Sequence, residues 1–416
     1  MNIGDNMIGI HLKNNKISLN ELKKYNKPEY VYIPYETEDT IYVKKNEYIY
    51  KGMIIGKKKN GFPILSSISG EFIDIEEHLN SENIKCIKIK NDFKEKIEKS
   101  ISLKEDITKY SKDEFINLLK EKVIIGMGGS GFPTFLKYQT DNIHTLIVNA
   151  VECEPYITAD HILIEKHLDE ILEGIDAILE INKIDECFIA IKKNQKQLKQ
   201  MIENHIGTYL KIKLIEVPNL YPMGWERNLV KYIKKVDYDK LPIEKNIVVN
   251  NISTIYAIYK ALKYQEPLLE RIITVTGEIK EPTNILVKIG TNLNDILNYL
   301  EIKEKKVIIG GPMMGKKIID DNFIITAATN NILIKKEEIL EETTCLRCGK
   351  CILCCPAKIT PVLIKDNINN LEKLKKLQVE KCMECGICSY ICPAKINVRE
   401  FVKTAKERIK GEQNEK

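Results

Sequence analysis

The sequence has no long hydrophobic run: none of its 416 residues begins a stretch of the roughly 18 apolar residues that a membrane-spanning helix needs. The opening "MNIGDNMIGIHLKNNK" also has no apolar signal core. Both absences point to a cytoplasmic chain, free or peripheral on the cytoplasmic face of the membrane. Charge of one sign is not concentrated either. The 64 Lys and Arg are interspersed with 59 Asp and Glu, for a net charge of +5, and nucleic-acid binding ordinarily needs a dense basic face. Histidine is scarce, six in all and dispersed, so no Ser-His-Asp or metal-hydrolase constellation competes for the chemistry. A catalytic acid or base is therefore not expected.

Cysteine is abundant. Twelve thiols in a chain with no export signal favour ligands over disulfides. Eight sit in two segments, "CLRCGKCILCCP" (345 to 356) and "CMECGICSYICP" (382 to 393). Each spells C-x2-C-x2-C-x3-C-P: Cys345, Cys348, Cys351 and Cys355, then Cys382, Cys385, Cys388 and Cys392. Three cysteines at intervals of three wrap one compact cluster, and Gly349 and Gly386 let the backbone approach its sulfides. In two-cluster ferredoxins the fourth cysteine of each run ligates the other cluster. The expected sets are Cys345, Cys348, Cys351 with Cys392, and Cys382, Cys385, Cys388 with Cys355. The alternative is a pair of structural zinc sites, but these usually use separated C-x2-C pairs; two [4Fe-4S] clusters are the reading taken. Cys354 reads as an apolar residue lining the clusters. Cys86 and Cys187, in apolar strand-like runs, read as buried small hydrophobes, and Cys153 stands apart from both runs.

Length suggests about three domains, and the hydrophobic pattern divides the chain further. From 29 to 88, short alternating strands such as "YVYIPY" and "IKCIKIK" form an all-β unit. From about 101 to 263, apolar strands alternate with helix-length amphipathic segments, which implies a parallel sheet covered on both faces. From about 270 to 335 runs a short strand-turn-strand-helix-strand module. The cysteine segments and a charged helix close the chain.

Within the α/β part, "VIIGMGGSGFPTFLKY" (123 to 138) sets Gly126, Gly128, Gly129 and Gly131 between an apolar strand and an expected helix. Such a loop lets backbone N–H groups reach a phosphate or a flat ring, aided by a helix N-terminus. A tight structural turn is the alternative. In "TLIVNAVECEPYITADH", Asn149, Glu152 and Glu154 lie at the C-terminal end of a strand, where parallel sheets bind ligands. Two carboxylates repel phosphate, so hydrogen bonding to ribose hydroxyls or a carboxamide suits them better; a salt-bridged surface pair is the alternative.

Taken together, "GMGGSGFPTFLK", "VNAVECEPYITADH", "YPMGWE", "TVTGEI", "GGPMMG" and the cysteine runs resemble the RnfC family of the Rnf electron-transport complex. That family includes a soluble proline-reductase-associated electron-transfer protein, and it is related to the flavin-bearing NADH-oxidising subunit of respiratory complex I. The resemblance implies a multidomain α/β architecture: a barrel-sandwich β domain (1 to 95), an FMN- and NADH-binding α/β domain (100 to 265), a soluble-ligand-binding-type β-grasp module (268 to 335), and a two-cluster ferredoxin domain with a C-terminal helix (340 to 416). It makes Gly126, Gly128, Gly129 and Lys137 contacts to FMN, with Asn149 and Glu152 beside it and Glu154 shared between flavin and nicotinamide. Tyr221, Gly224 and Glu226 of "YPMGWE" become a second flavin-site segment, and Asn251 and Thr254 fall where relatives hold the flavin phosphate. Met127 stands where complex I relatives carry an arginine, and Trp225 where they carry an acid. "SSISGE" lacks the lysine of biotin and lipoyl carriers, so no covalent cofactor is implied, and His11 reads as a packing residue. The implied activity is NADH oxidation at FMN with single electrons leaving through two [4Fe-4S] clusters. "YPMGWE" and "INVREFVKTAKE" favour a soluble acceptor such as proline reductase over the membrane Rnf subunits; a carrier that never meets NADH is a further alternative.

Overall fold

The computed structural model describes residues 8–12, 21–80, 83–98, 104–303, 306–318, 322–335 and 341–414. The segments 13–20 and 99–103, which the sequence reading assigned to the N-terminal unit and the following domain, lie outside them.

A first strand, β1 (Leu22–Tyr25), leaves the N-terminal unit altogether. The unit itself is a sandwich. One sheet has the order β2 (Tyr30–Tyr35), β8 (Asn83–Asn91), β7 (Gly70–Leu79), β4 (Tyr48–Ile49); the other is β3 (Thr40–Ile41), β5 (Ile54–Lys57), β6 (Pro63–Leu65). Alternation builds it: Ile87 and Ile89 of β8 are buried with Val31, Ile33, Ile55 and Phe72 between the sheets, while Lys88 and Lys90 point outward. The "SSISGE" tip is buried, not presented. Ser66, Ser67 and Ser69 are fully covered, and the Ser67 hydroxyl donates to the Ile289 carbonyl of the β-grasp module.

The α/β domain begins with α1 (Lys112–Glu121), started by a reciprocal Ser111–Glu114 capping box. Its sheet is entirely parallel, ordered β11 (Ile212–Val217), β10 (Glu186–Lys192), β9 (Thr145–Asn149), β12 (Ile247–Asn251). One face is covered by α1, α2 (Ala159–Ile181), α3 (Lys196–His205) and α5 (Ile252–Tyr264), the other by α4 (Glu226–Lys234). The chain goes from β9 outward to β10 and β11, then returns to place β12 on the other side of β9. The β9/β12 boundary is thus the switch point where such sheets open a ligand crevice. Register sets Asn149 opposite Asn251 there.

The next sheet runs β1, β14 (Thr283–Lys288), β13 (Glu270–Gly277), β17 (Asn331–Lys335), β15 (Lys306–Ile309), β16 (Lys316–Ile318), with α6 (Leu293–Tyr299) against it. The 268-to-335 module therefore takes its edge strand from residues 22 to 25, which the sequence reading kept with the sandwich. β1 pairs in parallel with β14, and Tyr25 joins the module's core. A four-residue strand covers an otherwise open edge, and nothing local in "LKKY" names its distant partner.

The C-terminal domain packs α7 (Lys350–Leu353), α8 (Pro361–Asp366), α9 (Leu371–Lys376), α10 (Ile387–Tyr390) and α11 (Val398–Asn414) around Ile364, Leu374, Val402 and Ala405. Cys86 and Cys187 are fully buried in the sandwich and the α/β sheet.

Candidate functional site

Residues 123 to 133 do form a tight loop, but its surroundings differ from expectation. No α-helix follows it: Thr134–Tyr138 is a single short 3-10 segment. The helix N-terminus that the loop meets belongs to α5, because the Met127 N–H donates to Thr254 Oγ1 at 2.9 Å and a Cβ on Gly128 would stand 3.3 Å from Asn251. Gly129 (φ +108) and Gly131 (φ +62) adopt backbone conformations that favour glycine, and both face open space, with nothing within 4 Å of an added Cβ. The loop is a cradle with its partner helix supplied from about 120 residues downstream.

Lys137 is buried nearby. Its Nζ lies 2.5 Å from the Val249 carbonyl and 3.7 Å from the Glu226 carboxylate. Burial depresses its pKa, and Glu226 opposes the shift. One carboxylate at that distance leaves a desolvated cation under-neutralised, a setting that favours an added anion. On the facing strand end, Asn149 Nδ2 donates to the Gly224 carbonyl at 2.8 Å and its Oδ1 accepts from Val151 N–H. Gly224 is packed so closely that a Cβ would meet the Val151 carbonyl at 2.4 Å.

The two carboxylates are not a salt-bridged surface pair. Glu152, 8% exposed, accepts the Asp160 N–H at 2.7 Å. Glu154 accepts the N–H groups of Met313 and Met314 at 3.1 and 2.8 Å. Burial, partly offset by those two donors, lifts its pKa to about 7. The "GGPMMG" loop is therefore part of the site, although nothing in its sequence assigned it a place there. A Cβ on Gly311 would fall 2.3 Å from the Glu154 carboxylate.

Two further residues went unread in the sequence. Asp160, at the first turn of α2, accepts from Asn251 Nδ2 and Ser253 Oγ, both at 2.6 Å, and so ties the α5 N-terminus to α2. Burial, then Glu152, raises its pKa to about 6. Arg271 of β13 is buried behind the loop, donating to the carbonyls of Ala327, Ile272 and Met127, and its burial lowers its pKa to about 10. Only "ADH" following an acidic strand end hinted at the first; the second had no local signal.

Tyr221 faces the C-terminal domain. It is 1% exposed, and its hydroxyl donates to the Cys385 carbonyl at 2.6 Å. With Met313, Cys385 and Ile387 it forms a small apolar core against which Cys153, Cys354 and Met383 pack. His11 sits at the margin, its ring nitrogen 3.0 Å from the Asn219 carbonyl.

The eight motif cysteines are free thiols arranged around two cavities. One, of about 150 Å³, is lined by Cys345, Cys348, Cys351 and Cys392; the other, about 20 Å³, by Cys355, Cys382, Cys385 and Cys388. The fourth cysteine of each run thus stands at the other run's cavity. Among the described residues no three His, Cys, Asp or Glu side chains converge as ligands of one metal ion, the arrangement that a zinc site with Zn–S distances of about 2.3 Å would require. Burial raises the thiols of Cys385 and Cys388 to about 12; coordination to iron is the chemistry that keeps such sulfurs as thiolates. Four sulfurs per cavity fit a cubic cluster, and the open glycine cradle with its buried lysine fits a flavin phosphate.

Three family models match in chain order. They are the RnfC barrel sandwich hybrid domain over residues 6–94, the Nuo51 FMN-binding domain over 119–260, and a 4Fe-4S dicluster domain over 337–393. FMN and iron–sulfur clusters are accordingly the cofactors of this electron-transport chain. Among solved structures, an NAD+-reducing [NiFe]-hydrogenase in the air-oxidized state shares the fold, with a TM-score of 0.51 at 14% identity over 72% of this chain and 63% of that one. The RnfC-type component of the Na(+)-translocating ferredoxin:NAD(+) oxidoreductase complex of Acetobacterium woodii is 29% identical over 82% of this chain and 81% of its own length. Its counterpart in the ion-translocating oxidoreductase complex of Salmonella arizonae is 32% identical over 62% of this chain, which spans only 40% of that relative. The corresponding component of the proton-translocating ferredoxin:NAD(+) oxidoreductase complex of Clostridium ljungdahlii is 31% identical over 77% of this chain and 74% of its own length. With that extent of matched sequence and the barrel-sandwich model at its head, the chain belongs to the RnfC family.

Proposed function

We propose that the chain is the peripheral RnfC component of a membrane-bound ferredoxin:NAD+ oxidoreductase complex, exchanging electrons with NADH at FMN and with protein partners through two [4Fe-4S] clusters. Bound flavin supplies the chemistry that joins two-electron hydride transfer to one-electron transfer. The chain's own residues bind and position. The Gly126–Gly131 loop and the α5 N-terminus with Asn251 and Thr254 would hold the phosphate; Lys137, Asn149 and Glu152 would hold the rest of the flavin; Glu154 would stand at the nicotinamide side. Cys345, Cys348, Cys351 and Cys392 would hold one cluster, and Cys355, Cys382, Cys385 and Cys388 the other.

The observation that carries the reading is the junction between crevice and cysteines. Glu154 is bonded to Met313 and Met314, the Met313 carbonyl packs on Gly386, and Tyr221 is bonded to Cys385. A flavin-side carboxylate and the second cysteine set thus share one wall, a continuous packed path suited to single-electron transfer.

The soluble proline-reductase partner suggested by "YPMGWE" gives way to the membrane complex, because the relatives reported above belong to such complexes. Among the described residues no helix is long and apolar enough to cross a membrane, which suits attachment through other subunits. Anaerobic affinity purification from native cells in mild detergent tests the assignment. Integral membrane subunits in stoichiometric yield are expected; a soluble reductase in their place would return the proline-reductase reading.

A further inference from the structure

The two cysteine sets sit in unlike surroundings. The second is enclosed: Cys385 is 8% exposed, its carbonyl takes the Tyr221 hydroxyl, and a Cβ on Gly386 would lie 2.2 Å from the Met313 carbonyl. The first opens outward. Cys348 is exposed, and its cavity is rimmed by Leu346, Arg347, Lys350, Leu363 and Lys365. Leu346 is 65% exposed, Leu363 42%, and Leu353, in the same cysteine run, 76%. Single exposed leucines are ordinary, but three gathered around one metal-binding run form an apolar patch of the kind that marks a contact surface.

The charge around it has one sign. Arg347 and Lys365 share a single carboxylate, Asp366, and Lys350 is exposed beside them. An apolar centre with a cationic rim matches a protein with an acidic rim, and small, salt-sensitive interfaces are usual for electron-transfer partners. Resting on the electron-transfer reading above, we propose that the face formed by Leu346, Arg347, Lys350, Leu353 and Leu363 is the docking surface for an acidic one-electron carrier protein, delivered against the first cysteine set and away from the flavin crevice.

The test uses the full chain reconstituted anaerobically with iron, sulfide and FMN, and a small acidic two-cluster ferredoxin as the probe. Binding is read by interferometry, with iron, sulfide and flavin measured on every variant. Wild-type affinity should fall when salt rises from about 0.05 to about 0.5 M. Leu353→Glu and Lys350→Glu should each weaken binding about tenfold or more. Leu210→Glu, at a 94% exposed leucine in the α/β domain, should change nothing. Full cofactor content with binding indifferent to Leu353→Glu and Lys350→Glu would overturn the docking surface alone. Self-association through this face, abolished by Leu353→Glu with no ferredoxin bound, would overturn it in favour of a second copy. A chain that takes up no iron or sulfide would overturn the electron-transfer reading beneath it.

Discussion

Replacing Gly386 by alanine should loosen the junction between flavin-side and cluster-side residues, and Gly349 supplies the control. The two glycines occupy the same place in the two cysteine runs and have nearly the same backbone, φ +78 and +71. The left-handed conformation costs a non-glycine residue about 1–2 kcal/mol, and this cost cancels between the two variants. The space does not cancel. A Cβ at Gly349 meets nothing within 4 Å, whereas at Gly386 it lands 2.2 Å from the Met313 carbonyl and 3.0 Å from its carbon, both backbone atoms that no rotamer can move. Forced overpacking costs about 1–3 kcal/mol. That energy falls on the loop whose Met313 and Met314 N–H groups donate to Glu154, so those amides report it directly. Hydrogen exchange measures such local opening, and about 1–3 kcal/mol corresponds to about 5- to 150-fold faster exchange. Gly386→Ala should show that acceleration at Met313 and Met314, and Gly349→Ala should leave them unchanged. Equal protection in the two variants would refute the claim that the second cysteine run is anchored through this contact.

Tyr221→Phe should strand the buried Cys385 carbonyl and cost about 1–3 kcal/mol, read as earlier release of the C-terminal domain in limited proteolysis. Glu154 has a folded-state pKa raised from 4.5 to about 7, so the folded chain holds a proton there that the unfolded chain has already lost. Stability should therefore fall as pH rises from about 4.5 through about 7. Asp160, raised from 3.8 to about 6, adds the same slope at lower pH, so Glu154→Gln should flatten chiefly the part between about 6 and 7 in pH-resolved urea titrations. Lys137→Met should weaken flavin binding about 10- to 150-fold if it removes one charge-assisted hydrogen bond of about 1.5–3 kcal/mol, measured by flavin fluorescence. Cys392→Ser and Cys355→Ser should each lower iron and acid-labile sulfide, through different clusters by electron paramagnetic resonance, while Cys354→Ser, which removes a residue packed beside Tyr221 and Met313, should lower neither.

The parts legible in sequence were those whose chemistry is local. Cysteine spacing within twelve residues placed each run, and the apolar strand ending in Asn149 announced a parallel sheet and its ligand end. The unread parts are contacts between distant segments. Met127 meets Thr254 across 127 residues, Glu154 meets Met313 across 159, and Tyr221 meets Cys385 across 164. Such contacts leave no periodicity, because each side is a loop whose residues satisfy only the partner. The helix expected after the glycine loop shows the same effect. Phe132-Pro133 reads as a start signal, yet the dipole reaches the loop from α5, capped by Asn251. Asp160 and Arg271 were missed because a buried charge is recognised by what surrounds it, and "ITADH" and "LERII" give no sign of burial. The strand 22 to 25 was missed because its pairing partner begins at Asn284.

The most direct test of the account is an anaerobic titration of the reconstituted protein with NADH, followed in the visible spectrum and by electron paramagnetic resonance. The account predicts bleaching of the flavin band together with the appearance of reduced-cluster signals. A flavin that stays oxidised in the presence of NADH, with clusters intact, would contradict it and leave the chain a carrier that receives its electrons from another protein.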